Sequence, residues 1–107
     1  MKSIISRIFG DRSKKSTQEG AVAQRGEPVS YSGLIIRAAP ERTGDQWRLA
    51  GVIIKQDGDR ALERTYLRAD TFSTREEAET FAIRKGKQII DEQGARLFAD
   101  GELSGRA

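Results

Sequence analysis

Ser73-Thr-Arg-Glu-Glu-Ala-Glu-Thr-Phe-Ala-Ile-Arg-Lys-Gly-Lys-Gln-Ile-Ile-Asp-Glu-Gln-Gly94 is the stretch on which the fold turns. Ser73 is a natural helix N-cap, and Glu76 three residues on completes a capping box. Glu76, Glu77 and Glu79 occupy the early turns and Arg84, Lys85 and Lys87 the later ones, which complements the helix macrodipole. Ala78, Phe81, Ala82 and Ile89 recur at helical spacing, widened by Ile90 and the aliphatic stem of Lys85. This stripe predicts a face that packs on the sheet through Phe81 and Ile89. Gly94 supplies the left-handed stop, and Leu97 and Phe98 a hydrophobic return onto the core. Gly86, inside the helix, costs about 1 kcal/mol against Ala, so close packing is expected there.

Upstream lie three β-rich runs. Val29–Ala39 is stopped by Pro40; Gln46–Gln56 follows; Asp57-Gly58-Asp59 is turn chemistry; Ala61–Asp70 is the third run. Short connections make an antiparallel meander, so the fold class is α+β. It is a three-stranded antiparallel sheet packed by one C-terminal helix, a β-β-β-α domain over residues 29–98. Residues 1–28 read as a flexible basic arm, with apolar Ile4, Ile5, Ile8 and Phe9 in a segment far too short to span a bilayer. Residues 99–107 read as a disordered tail.

Composition excludes more than it includes. Among 107 residues there is no Cys and no His. Thiolate chemistry, the usual general base and the commonest metal ligand are therefore missing, which argues against an enzyme, a cofactor or a metal site. A cytoplasmic binding or regulatory module is the expectation. The net charge of +3 is uneven. Residues 1–15 carry five basic side chains against one acid, while residues 29–98 carry 12 basic and 11 acidic groups. A nucleic-acid partner must then be met by one basic face rather than by bulk charge.

Strand alternation identifies that face once the register is chosen. A three-residue loop at 57–59 pairs Leu49 with Leu67, Trp47 with Ala69 and Gly51 with Thr65. With Leu34 and Ile36, these residues pack beneath Phe81 and Ile89. The opposite face then presents Tyr31, Ile35, Arg37, Arg48, Ala50, Val52, Ile54, Arg64, Tyr66 and Arg68, with no acid. A two-residue loop shifts the register by one and groups Trp47, Leu49, Tyr66 and Arg68 instead. Three roles compete for the outer face: a solvated sheet, a self-association surface built on Ile35, Val52 and Ile54, and a DNA-binding surface. In the last, Arg37, Arg48, Arg64, Tyr66 and Arg68 meet DNA from the sheet, and Lys14 and Lys15 add phosphate contacts from the arm.

Tyr31-Ser-Gly-Leu, Gln46-Trp-Arg-Leu-Ala-Gly, Leu67-Arg-Ala-Asp-Thr-Phe-Ser-Thr-Arg-Glu-Glu-Ala and Lys87-Gln-Ile-Ile-Asp-Glu-Gln-Gly together resemble the HlyU-type family of small bacterial proteins. That resemblance covers about residues 29–98 and the short amino terminus, and it implies a transcriptional activator. The order of elements also resembles the plant ethylene-response-type DNA-binding domain, which reads a major groove with its sheet. By that likeness Arg48, Arg64, Tyr66 and Arg68 would face DNA. The expected function is thus a small DNA-binding transcriptional regulator working through the helix-free sheet face. A non-catalytic interaction or dimerisation module is the alternative.

Overall fold

A computed structural model describes residues 25–107. One antiparallel meander extended at both edges gives a six-stranded sheet. The strands are β1 (Val29–Tyr31), β2 (Leu34–Ala38), β3 (Glu41–Thr43), β4 (Gln46–Asp57), β5 (Arg60–Phe72) and β6 (Ser104–Arg106). Helix α1 (Arg75–Gln93) and a 3-10 turn (Gly94–Phe98) lie between β5 and β6. β4 is the central strand, flanked by β5 on one side and by β2 and β3 on the other. β1 forms one edge, and β6 pairs with β5 in parallel at the other.

The first expected strand, Val29–Ala39, is therefore two strands, and a third short one, β3, follows Pro40. Ser32 and Gly33 both take positive φ, 52° and 77°, and turn the chain tightly between Tyr31 and its partner Leu34. Positive φ at both central residues is what a two-residue hairpin matched to strand twist requires. Between β2 and β3 the chain stays beside β4 in one register: Ala39 N–H donates to the Ala50 carbonyl at 2.8 Å, and Pro40 follows at a position whose nitrogen faces away from β4, where a missing N–H is tolerated.

The β4–β5 turn decides the two faces. Asp57 pairs with Arg60, leaving Gly58 and Asp59 as a two-residue loop, with Gly58 at φ 64°. Gly51 consequently lies opposite Tyr66, Val52 opposite Thr65 and Ile53 opposite Arg64. The three-residue loop expected from the sequence is corrected by one position, and with it the parity of β5. Leu62, Arg64 and Tyr66 point to the helix. Thr65, Leu67 and Ala69, expected in the core, are exposed. On β2 and β4 the expected core residues Ile36, Leu49 and Gly51 are indeed buried.

The helix begins one residue later than its capping box suggests. Thr74 is the N-cap, its hydroxyl accepting a 3.1 Å hydrogen bond from the Glu77 N–H, and Gly94 closes the helix at φ 52°. Its buried face is made of small residues: Ala78, Ala82 and Gly86, with Ile89 and Ile90 toward the end. Phe81, expected to pack on the sheet beside Ile89, stands at the margin with 37% of its surface exposed. It stacks on Phe72, ring centroids 5.0 Å apart and planes 9° from parallel.

Small residues are needed because Tyr66 lies between sheet and helix. Its hydroxyl donates a 2.6 Å hydrogen bond to the Ala82 carbonyl of α1. A Cβ on Gly51 would collide with the phenol, and one on Gly86 would come within 2.8 Å of its oxygen and 2.7 Å of Ile36 Cγ2. The ring thus occupies a slot floored by one glycine and roofed by the other. The expected penalty of a helical glycine is accepted because only a missing side chain admits the phenol.

The expectation of a disordered tail at 99–107 is also corrected. Glu63 N–H bonds the Leu103 carbonyl at 2.9 Å, Ala107 N–H bonds that of Thr65 at 2.8 Å, and β6 completes the edge. The expectations for residues 1–24, including an apolar amino terminus and a flexible basic arm, lie outside the described residues.

Gly51→Ala should destabilise the fold by about 1–3 kcal/mol through overpacking. Combining it with Tyr66→Leu, which removes both the oxygen and the ring carbon that the new Cβ would meet, should cost less than the sum of the two single losses in denaturant titrations. Burial also pushes the Tyr66 pKa well above its ordinary value of 10.0, the Arg68 charge opposing this in part. The folded-state value exceeds the unfolded one, so this contribution is complete below about pH 10 and is lost as pH rises beyond it. The wild-type unfolding midpoint should fall above about pH 10, more steeply than that of Tyr66→Phe. Equal slopes would show that the phenol is not buried as described.

Candidate nucleic-acid interface

The sheet face away from the helix carries a trough of about 670 Å³. Ala50 and Val52, buried on the central strand, form its floor. Arg48 and Glu41 stand at one side, Leu67 and Arg106 toward the β5–β6 edge, and Arg25 beside the floor. The strands explain the placement. Arg48 and Glu41 are cross-strand partners on β4 and β3, and Arg106 is brought in by parallel pairing of β6 with Thr65.

The polar groups on this face are partly engaged. Arg25 grips Glu63 with two hydrogen bonds of 2.9 and 3.1 Å. That bidentate pairing lowers the Glu63 pKa and raises that of Arg25, with desolvation opposing it in both. Arg37 donates Nε to the Gly26 carbonyl at 2.8 Å, and Gly26 N–H donates to the Ala38 carbonyl at 2.6 Å. The segment entering β1 is thereby fastened along the sheet. Arg48 donates Nε to the Arg68 carbonyl at 2.9 Å, across a break in register between Arg48 and Ala50. Arg68 lies at the trough's end and also lines a groove on the helix side.

The structure therefore keeps Arg37 and Arg48 on the outer face, puts Arg68 at its margin, and withdraws Arg64 and Tyr66. Both belong to the interior, because the two-residue turn sets β5 in the opposite parity. Tyr66 is 3% exposed and Arg64 2%. Arg64 Nε donates to Leu97 O at 2.9 Å, Nη1 to Glu63 O and Glu102 O at 2.8 and 3.0 Å, and Nη2 to Asp100 Oδ1 at 2.6 Å. Its guanidinium also lies over the Phe98 ring, 4.7 Å from the centroid. A cation so placed holds the C-terminal segment and cannot reach a groove of DNA. Lys14 and Lys15 lie outside the described residues. The expectation of an acid-free face is likewise corrected, by Glu41 and Glu63.

Sequence reasoning missed Arg25 and Arg106, which reach this face only because segments expected to be unstructured pair with the sheet. Among the described residues no group of three or more acidic, His or Cys side chains is gathered in metal-binding fashion. No helix among them is long and apolar enough to cross a membrane.

Residues 3–98 match the family described as "Transcriptional activator HlyU". The chain belongs to the HlyU family. The match spans most of the sequence and takes in β1–β5 and the helix that covers them. No curated protein and no solved structure matches the chain. HlyU membership places the chain among transcriptional regulators.

Arg64→Ala should cost about 3–5 kcal/mol, since it leaves buried carbonyls without their donor. Asp100→Asn, at a side chain 65% exposed, should cost under about 1 kcal/mol. Thermal melts and the rate of proteolysis within 99–107 would compare the two. Equal, small effects would show that Arg64 is not the anchor of the C-terminal segment.

Proposed function

We propose that this HlyU-family protein regulates transcription by binding duplex DNA on the open face of its sheet. The trough takes the sugar-phosphate backbone, with Arg48 and Arg106 contacting phosphates from its two sides. Arg37 holds the entering chain in place beside the site, and Arg68 extends the basic surface past its end. Lys14 and Lys15 add sequence-independent phosphate contacts. No step of covalent chemistry is involved.

The observation that supports this reading is the gathering of Arg25, Arg37, Arg48 and Arg106 on a face with two acids, one of them, Glu63, already neutralised by Arg25. A guanidinium offers a planar fork of N–H donors matched to phosphate oxygens. Arg48 is steadied by its bond to the Arg68 carbonyl, which lowers the entropy lost on gripping an anion. A twisted sheet laid against DNA is an established docking geometry.

A second reading rests on the apolar part of the same face. Leu67, 42% exposed, is a large apolar side chain on this face that a protein partner or a second copy of the chain would cover; Val52, expected in such a surface, is buried and adds nothing to it. Sedimentation separates the two: a dimer that Leu67→Glu converts to monomer would favour this alternative.

The DNA reading predicts that affinity for a duplex of about 24 base pairs falls log-linearly with salt. Arg48→Ala and Arg106→Ala should each reduce the slope by about one and weaken binding roughly tenfold at about 0.1 M salt. Fluorescence anisotropy at several salt concentrations measures this. Sheet variants indistinguishable from wild type, with Lys14→Ala/Lys15→Ala abolishing binding, would overturn the proposal.

A further inference from the structure

On the helix side, a groove of about 230 Å³ opens between β5 and α1. Arg68, Arg84 and Lys85 surround it together with one acid, Asp70. We infer that this groove is a second phosphate-binding site for the same DNA, so that the basic surface turns from the trough around the open edge of β5 onto the helix. The inference rests on the DNA reading of the trough and extends it to residues on the other side of the sheet.

Continuity is the first argument. Arg68 borders both the trough and the groove. The edge between them is uncovered among the described residues, because β6 pairs only with Glu63, Arg64 and Thr65 of β5. A backbone leaving the trough at Arg68 meets no intervening strand before the groove.

Preorganisation is the second. Arg84 sits over the Phe81 ring, 4.9 Å from its centroid, and Phe81 is itself stacked on Phe72. This stack explains why a large aromatic is left at 37% exposure on the helix margin: it is the support for a guanidinium. An arginine ordered in advance loses less rotamer freedom when it binds. Lys85 is steadied similarly by its 3.3 Å hydrogen bond to Gln88.

Charge is the third. Three cations share the groove with Asp70, and among the described residues that carboxylate forms no ion pair with any of them. Cations held close without neutralisation repel one another, and an incoming anion relieves that cost. The groove is shallow and its lining is mixed, which suits a phosphodiester ridge better than a small molecule needing enclosure.

The test uses the full chain and the same 24-base-pair duplex (about two turns of DNA), with Arg84→Gln/Lys85→Gln as the groove variant and Arg48→Ala as the trough variant. Gln retains good helix propensity at these partly or fully solvated positions, and thermal melts verify the fold. The groove variant should lower the salt slope by about two and weaken binding roughly 10–100-fold at about 0.1 M salt. Amide shifts over Phe81–Gln88 should move on adding duplex. A trough variant with reduced slope beside a groove variant like wild type would overturn this inference and leave the trough reading intact. Wild-type protein that binds no duplex at low salt would overturn both. Inorganic phosphate at millimolar concentration producing the same shifts as duplex would show a free-anion site instead of a DNA track.

Discussion

The phenol of Tyr66, lodged between Gly51 and Gly86 with its hydroxyl on the Ala82 carbonyl, is the contact on which the arrangement depends. It joins the two central strands to the helix at one point. It also fixes the helix's axial position, because only the turn containing Gly86 can approach that closely. The hydrogen bond is worth about 1 kcal/mol net, but its loss would strand a buried hydroxyl as well. Specificity comes from shape: a helix shifted by one residue would set a Cβ against the ring. The flanking core of Ile36, Ile53, Leu62 and Ile89 then packs around a position already chosen.

Arg64, next along the same face, does for the chain's end what Tyr66 does for the helix. A buried cation is costly to desolvate, and its ion pair with a mostly exposed Asp100 offsets little of that. What makes the position tolerable is the set of three carbonyls from Glu63, Leu97 and Glu102, along with the Phe98 face. The carbonyls at the end of the 3-10 turn need donors in any case. One guanidinium therefore satisfies several groups and closes the segment leading into β6. Its interior role also illustrates why an arginine in an alternating strand is ambiguous. Alternation assigns it to one of two faces, and only the register says which.

The helix was legible because its signals are local. Cap residues, an apolar stripe and a terminal glycine lie within a few residues of the groups they act on; the slips were the choice of Ser73 over Thr74 as cap and the placing of Phe81 in the buried face, where small residues and Tyr66 leave it no room. The HlyU resemblance was legible too, since it rests on short runs around the helix entry. The register was not, because Asp57-Gly58-Asp59 is compatible with loops of either length, and a change of one residue inverts a whole strand. That single ambiguity moved Arg64 and Tyr66 from a supposed DNA-binding face to the core and Leu67 the other way. Ser32-Gly33 carried a turn signal inside an otherwise β-rich run. The pairing of β6 had no signal: it depends on carbonyls whose donor stands more than thirty residues earlier in the chain.

The same facts bear on how the open face comes to be basic. Neither of the long central strands supplies the whole charge. Arg25 and Arg106 arrive from the two ends of the described chain, one laid along β2 and the other paired to β5. Arg64 holds the second of these ends, so a buried residue that touches no partner still determines whether Arg106 stands at the rim. The Arg25–Glu63 pair acts comparably on the first end: it removes one acid from the face while fixing the chain across it. Surface charge here is thus a consequence of folding the terminal segments onto the sheet. A substitution in the interior can alter the basic face without changing any residue on it, and on the proposed DNA reading an Arg64 variant that binds duplex more weakly would report lost docking of the C-terminal strand rather than a lost contact.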